Sequence, residues 1–199
     1  MTSVITGDII NSQKSSPKKW LDALKSVLKL YGETPSNWEI YRGDSFQLEI
    51  HPKDALKACF LIKASIKQFD NIDVRLAIGL GEKTYKSEKI TESNGSAFVN
   101  SGECFEALKK TTLAIKSPFE TFDVTLNIML ELALLTVNNW SVTLANLIKT
   151  TLENPELNQK QLANTLKTTQ GNISQGLKRA GFDEISKLIN YYESQIQTL

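Results

Sequence analysis

A chain of 199 residues, 41% hydrophobic and 23% charged, is long enough to bury a core as one large domain or as a medium domain with a small one. Its formal net charge of +1 offers no global field for nucleic acid or membrane, so any basic surface has to be local. Two cysteines without metal-ligand spacing, a single histidine (His51) and a start without a charged-then-apolar leader argue against a disulfide scaffold, a histidine metal cluster, a Ser-His-Asp triad and secretion, and predict a cytoplasmic protein with buried thiols.

The first element is the apolar, β-branched run Val4-Ile5-Thr6-Gly7-Asp8-Ile9-Ile10, which reads as a buried strand carrying one carboxylate to its open end. Ser15-Ser16-Pro17 supplies a cap and first-turn proline for a helix with Trp20, Leu24, Val27 and Leu28 at helical spacing, and Gly32 stops it. A hairpin follows over residues 38–50, with Phe46, Leu48 and Ile50 alternating and Gly43-Asp44 at its turn. Pro52 opens a second helix ending before Asn71; Val74, Leu76 and Ile78 alternate in the next strand; Ser96 begins a third helix; and residues 113–115 form a further strand before Pro118. This order predicts an α+β, ferredoxin-like antiparallel sheet with helices on one face over residues 1–118.

From Thr121 the apolar positions Phe122, Leu126, Met129, Leu130, Ala133, Leu134 and Val137 mark a connector helix within residues 119–140, interrupted by Glu131 and too short to cross a bilayer, so no membrane partner is expected. Residues 141–199 read as all helical. Within them Leu162, Ala163 and Leu166, then Ile173 and Leu177, across the short link 167–169, have the spacing of a helix-turn-helix. Its outer face offers Thr169, Gln170, Asn172, Ser174, Gln175 and Lys178 to base edges or phosphates, with Lys160, Lys167 and Arg179 toward a nucleic-acid backbone. Four basic and no acidic residues in 160–179 make a modest patch, so DNA binding would call for a homodimer. The alternative is a helical interaction module that meets no DNA.

If the first strand and the hairpin lie side by side, Asp8 and Asp44 converge, and two carboxylates suffice for Mg2+ or Mn2+ when water and substrate phosphates complete the shell. Each aspartate alone is more often turn chemistry. The segment after the first strand, from Asn11 and Ser12 to Ser16, would present a helix N-terminus to phosphate.

These segments resemble the class III nucleotidyl cyclases, in which a strand-borne aspartate followed by an apolar pair, and a second aspartate in a Gly-Asp hairpin, bind two metal ions. The resemblance implies metal binding by Asp8, Ile9 and Asp44, and nucleotide contacts from Arg42, Gly43, Arg75 and Asn100, the last in Gly95-Ser96-Ala97-Phe98-Val99-Asn100. Cys104 stands where the cyclases carry a phosphate-stabilising arginine, and Ile40 and Ser93 stand at base-selecting positions. Over most of its length the chain resembles the SatD family, through Thr6-Gly7-Asp8-Ile9-Ile10-Asn11-Ser12 and Arg42-Gly43-Asp44-Ser45-Phe46. Three functions are expected in competition: a DNA-binding regulator with a domain sensing a nucleotide of the ATP or GTP class, an active two-metal cyclase or nucleotidyltransferase, and a protein-interaction module without catalysis. The catalytic residues stay unassigned.

Overall fold

The computed structural model describes residues 1–14 and 17–199, which form an α+β structure with a five-stranded mixed sheet and eight α-helices. The expected cap at Ser15-Ser16 lies outside the described residues. In chain order the elements are β1 (Thr2–Ile10), α1 (Pro17–Leu28), β2 (Trp38–Tyr41), β3 (Ser45–Ile50), α2 (Ala55–Ile66), β4 (Asp73–Gly81), α3 (Ser96–Ala107) and β5 (Leu113–Lys116). After them come α4 (Glu120–Val137), α5 (Val142–Glu153), α6 (Gln159–Thr165), α7 (Gln170–Arg179) and α8 (Phe182–Ile196). The strand order is β2-β3-β1-β4-β5. β1 runs antiparallel to both neighbours, with Asp8 opposite Ser45 on one side and Arg75 on the other, while β5 joins the edge parallel to β4. The sheet is therefore mixed rather than wholly antiparallel.

Strand alternation decides which layer each side chain meets. Ile5 and Ile9 of β1, Phe46, Leu48 and Ile50 of β3, and Val74, Leu76, Ile78 and Leu80 of β4 enter one core with Trp20, Leu24 and Leu28 of α1 and the apolar side chains of α2. The other face of β1 and β4 carries Val4, Thr6, Ala77, Gly79 and Gly81, and α3 lies directly on it. A Cβ at Gly79 would stand 2.2 Å from the Ala97 carbonyl oxygen and 2.2 Å from the Ser101 nitrogen, and Thr6 and Ser101 share a hydroxyl hydrogen bond of 2.8 Å. The expectation that the helices share one face is thus corrected. A strand with three small residues in alternation leaves a groove that a helix backbone can occupy.

The C-terminal helices continue the first core. Ala145 and Ile148 of α5 and Ile185, Ile189 and Tyr192 of α8 belong to the same buried cluster as Ile5 and Phe60, and the Tyr192 hydroxyl donates to the Pro52 carbonyl at 2.7 Å. A smaller cluster of Leu147, Leu162, Ala163 and Ile173 holds α5, α6 and α7 together. Gly176 permits this approach, since a Cβ there would meet Leu147 at 2.6 Å. The α6 start is closed by a capping box between Asn158 and Gln161, and the α7 start by Thr169, whose hydroxyl accepts from the Asn172 backbone at 3.2 Å. Among the described residues no helix is long and apolar enough to cross a membrane.

Candidate nucleotide and metal cleft

Three strand ends and two connections build the cleft. β1 delivers Asp8 on the α3 side while the Ile9 side chain, 3% exposed, points into the opposite core. Of Ile9, then, only the backbone carbonyl is open to a ligand role, because its amide donates to the Asp44 carbonyl at 3.2 Å. That bond pins the β2–β3 turn to the end of β1. The turn itself is left-handed at Arg42 (φ 54) and Gly43 (φ 92), a geometry glycine adopts without strain, and both residues are exposed. Asn11 is also left-handed (φ 59), as asparagine tolerates, and reverses the chain directly after β1 so that the Ser12 hydroxyl donates to Asp44 Oδ2 at 2.7 Å. The Asn11 amide donates to the Asn71 carbonyl at 3.3 Å.

Opposite Asp8 on β4, Arg75 donates to Asp8 Oδ2 at 2.7 Å, and its guanidinium carbon lies 5.1 Å from the Phe105 ring centroid. The Ser45 hydroxyl makes only a long contact, 3.4 Å, to Asp8 Oδ1. Asp8, Ile9, Asn11, Ser12, Asp44 and Arg75 line one cleft of about 580 Å3. Lys14 and Lys109 line it as well. Sequence reading missed both: Lys14 carried no spacing signal, and Lys109 follows α3 in a Lys-Lys pair that reads as a solvated end.

The donor set is all oxygen, as Mg2+ or Mn2+ requires. Asp8 has Oδ2 held by Arg75 and Oδ1 in the long contact to Ser45, and Asp44 has Oδ2 engaged by Ser12; among the described residues Asp44 Oδ1 accepts no hydrogen bond. Two carboxylates lining one cleft with cations among the same lining are the chemistry that a divalent ion carrying phosphate calls for. A closed protein cage is not available, since among the described residues no three His, Cys, Asp or Glu side chains are grouped for a metal.

Asn100 is not brought to this cleft. Its amide donates to the Leu80 carbonyl at 2.7 Å, and Leu80 lies five residues along β4 from Arg75, about 17 Å at the rise of a strand. Cys104 packs with Ala77 and Leu108, and burial pushes its thiol up to about 12. The arginine's place is filled by a packed, protonated side chain. Ser93 is buried and closes a local turn by accepting from the Ser87 amide at 3.1 Å, so it is not presented to a base either.

In α6, α7 and the link between them Lys160, Lys167, Thr169, Gln170, Asn172, Ser174, Gln175, Lys178 and Arg179 are all exposed, while Leu162, Ala163 and Ile173 between them are buried. Thr169 and Asn172 are partly committed locally, the Asn172 amide donating to the Thr168 hydroxyl at 3.0 Å. Lys167 sits in the left-handed link (φ 51) between α6 and α7.

Compared with known proteins, the family model described as the SatD family matches residues 2–187. No curated protein and no solved structure matches the chain.

Proposed function

The chain belongs to the SatD family, and from that premise we propose that it is a DNA-binding regulator in which a nucleotide-metal complex held by the cleft sets the activity of the helical part. The observation that carries the reading is that Asp8 and Asp44, the first with Oδ1 in only a long contact and the second with Oδ1 open, line one cleft with the cations Arg75, Lys14 and Lys109. The carboxylates would hold Mg2+ or Mn2+, and the cations would meet the phosphates of a nucleotide of the ATP or GTP class. The ion supplies charge that joins carboxylates to phosphates, which otherwise repel each other. The connectivity β1-α1-β2-β3-α2-β4, with β3 between β1 and β2 and β1 between β3 and β4, supports reading the sheet layer as ferredoxin-like. The division into residues 1–118, 119–140 and 141–199 is part of the proposal, with α6 and α7 as its helix-turn-helix.

Sensing is favoured over turnover by two placements: Cys104 is packed away from the cleft and Asn100 is spent on a strand carbonyl. A developing phosphoryl charge would be left to Lys14, Lys109 and Arg75, the last of which is already paired with Asp8. The shared position of Asp8 and Asp44 still favours a two-metal transferase as the second reading.

The test combines ligand-induced stability and DNA binding. Mn2+ with ATP or GTP is expected to raise the melting temperature of the wild type and not of Asp44→Asn, with no new product by chromatography. Binding to genomic DNA fragments is expected to fall with salt and to weaken when Lys178→Ala and Arg179→Ala are combined. A cyclic or oligomeric product lost in Asp44→Asn would establish the transferase instead. Neither signal would leave an interaction module.

A further inference from the structure

The most unusual surface of the molecule is the outward face of α4. Val124, Ile128, Leu132 and Leu135 recur at helical spacing and are 55%, 56%, 64% and 71% exposed. They form one stripe whose exposed area is on the order of 400 Å2, the size at which an apolar patch marks an interaction surface. Their neighbours Leu126, Leu130 and Leu134 are buried against the protein, so α4 is apolar on two sides, of which the fold covers one. Beside the stripe a groove of about 1000 Å3 opens between α4 and the α7–α8 corner, with Met129, Leu177 and Leu188 among its apolar lining and Lys178, Arg179 and Lys187 together with Asp183 and Glu184 along it.

We propose that this face is covered by the same face of a second copy of the chain, the two α4 helices packing antiparallel about a two-fold axis. Charge supports the choice. On α4, Glu120 and Glu131 are exposed, Asp123 is held by Ser117, and there is no lysine, arginine or histidine, whereas the groove wall next to its C-terminal half has three basic groups against two acidic. Antiparallel packing sets the acidic N-terminal half of one α4 beside the C-terminal half of the other, and therefore beside the partner's Lys178 and Arg179 wall. Parallel packing would stack the acidic ends on each other. A stable dimer needs about 800 Å2 from each copy, of which the stripe provides roughly half, so the contact extends beyond it over the groove mouth and the exposed polar side chains of α4. A two-fold contact of this kind is self-complementary and closes, so it ends at a dimer instead of growing into a fibre. The inference holds whether or not the cleft binds nucleotide, since it uses neither Asp8 nor Asp44.

The experiment is sedimentation velocity on the full chain. The wild type is expected to run at twice the 22.2 kDa chain mass with a Kd of about 1 µM or tighter. Leu132→Glu combined with Leu135→Glu is expected to run as a monomer with an unchanged far-UV spectrum, because both side chains are exposed in the single chain. Glu120→Lys is expected to weaken the dimer at least several-fold. Val99→Glu, an equally apolar exposed site (50%) on α3, is the control and is expected to leave the dimer intact. A wild type that stays monomeric at about 100 µM overturns the proposal. So does a double variant that still dimerises, a dimer lost equally in Val99→Glu, or a small molecule found in the groove by native mass spectrometry of the wild type.

Discussion

Lys63 and Arg75 each reach a carboxylate at short range, 2.9 Å to Asp73 and 2.7 Å to Asp8, and their surroundings make the two ion pairs unequal. The Lys63 side chain is fully buried, and its three protons are all used, on Asp73, the Val74 carbonyl and the Thr112 hydroxyl. Burial pulls its pKa down, and Asp73 opposes that by favouring the charged form. Arg75 and Asp8 are 35% and 21% exposed, so water screens their attraction and the pair contributes at most about 1 kcal/mol. Lys63→Ala leaves the Thr112 hydroxyl and the Val74 carbonyl without their donor, while Asp73 keeps Lys67 at 3.3 Å, a loss of about 3 kcal/mol. Urea unfolding at neutral pH checks the contrast: Arg75→Ala is expected to stay within about 1 kcal/mol of wild type and Lys63→Ala to fall well below it. Equal losses would mean that the cleft is a structural centre and not a site held open for a ligand. Asp8 and Asp44 were legible in the sequence only as a pair brought to one end of adjacent strands, since either carboxylate alone is ordinary turn chemistry. Lys63 was not legible, since a lysine inside an apolar helix reads as a solvated position until the helix proves to be covered on that side too.

At the scale of elements, glycines separate two kinds of packing. At Gly79 the obstacle to a side chain is the α3 backbone itself, 2.2 Å from a would-be Cβ, and backbone atoms cannot step aside as a leucine tip can. Gly79→Ala is expected to cost about 3 kcal/mol or more, with α3 lifted from β4. Gly171 is the opposite case. It is exposed near the start of α7, with nothing nearer a would-be Cβ than the Thr169 hydroxyl at 3.9 Å, so Gly171→Ala is expected to stabilise by about 0.5–1 kcal/mol. Thermal unfolding of the two variants, shifted in opposite directions, checks both. The alternation Val74, Leu76, Ile78 revealed the β4 strand and its buried face. What it concealed was the other face, because Ala77, Gly79 and Gly81 look like the exposed side of a half-buried strand when they are the bed for a helix. The free side of β5 was equally hidden: Asn127 of α4 accepts from the Ile115 amide and donates to the Ile115 carbonyl, both at 2.9 Å, closing the sheet edge with one side chain. No spacing rule links residue 127 to a strand twelve residues earlier.

For the molecule as a whole, α2 is the organising element. From Ala55 to Ile66 every residue except Lys57 is buried, a helix apolar all round and hence covered all round. The sheet and α1 cover part of it, and α5 and α8 cover the rest, with Ala145, Ile148, Leu152, Ile189 and Tyr192 in the same cluster as Leu56, Phe60 and Ile62. The composition shift near residue 120 is real, yet the core crosses it, so a boundary in sequence need not be a boundary in cooperativity. Trp20 and Trp38 are buried in the sheet layer and Trp140 in the helical part, where its indole donates to the Ala180 carbonyl, so in a Trp140→Phe background fluorescence reports on the sheet layer while far-UV dichroism is dominated by the helices. Urea unfolding followed by tryptophan fluorescence and by dichroism is therefore expected to give coincident midpoints, the mark of a single two-state transition. Residues 1–140 expressed alone would leave one side of α2 bare to water and are expected to lack a cooperative transition. Two separated midpoints, or a cooperatively folding 1–140 fragment, would show the helical part to be a tethered module. A shared core has a functional consequence as well: whatever the cleft at the end of β1 binds can reach α6 and α7 through α2 with α5 and α8, through α4 between β5 and α8, and through Trp140, whose indole donates to the Ala180 carbonyl at 3.0 Å, so a ligand that stabilises the sheet layer should also raise the helical midpoint by the same amount.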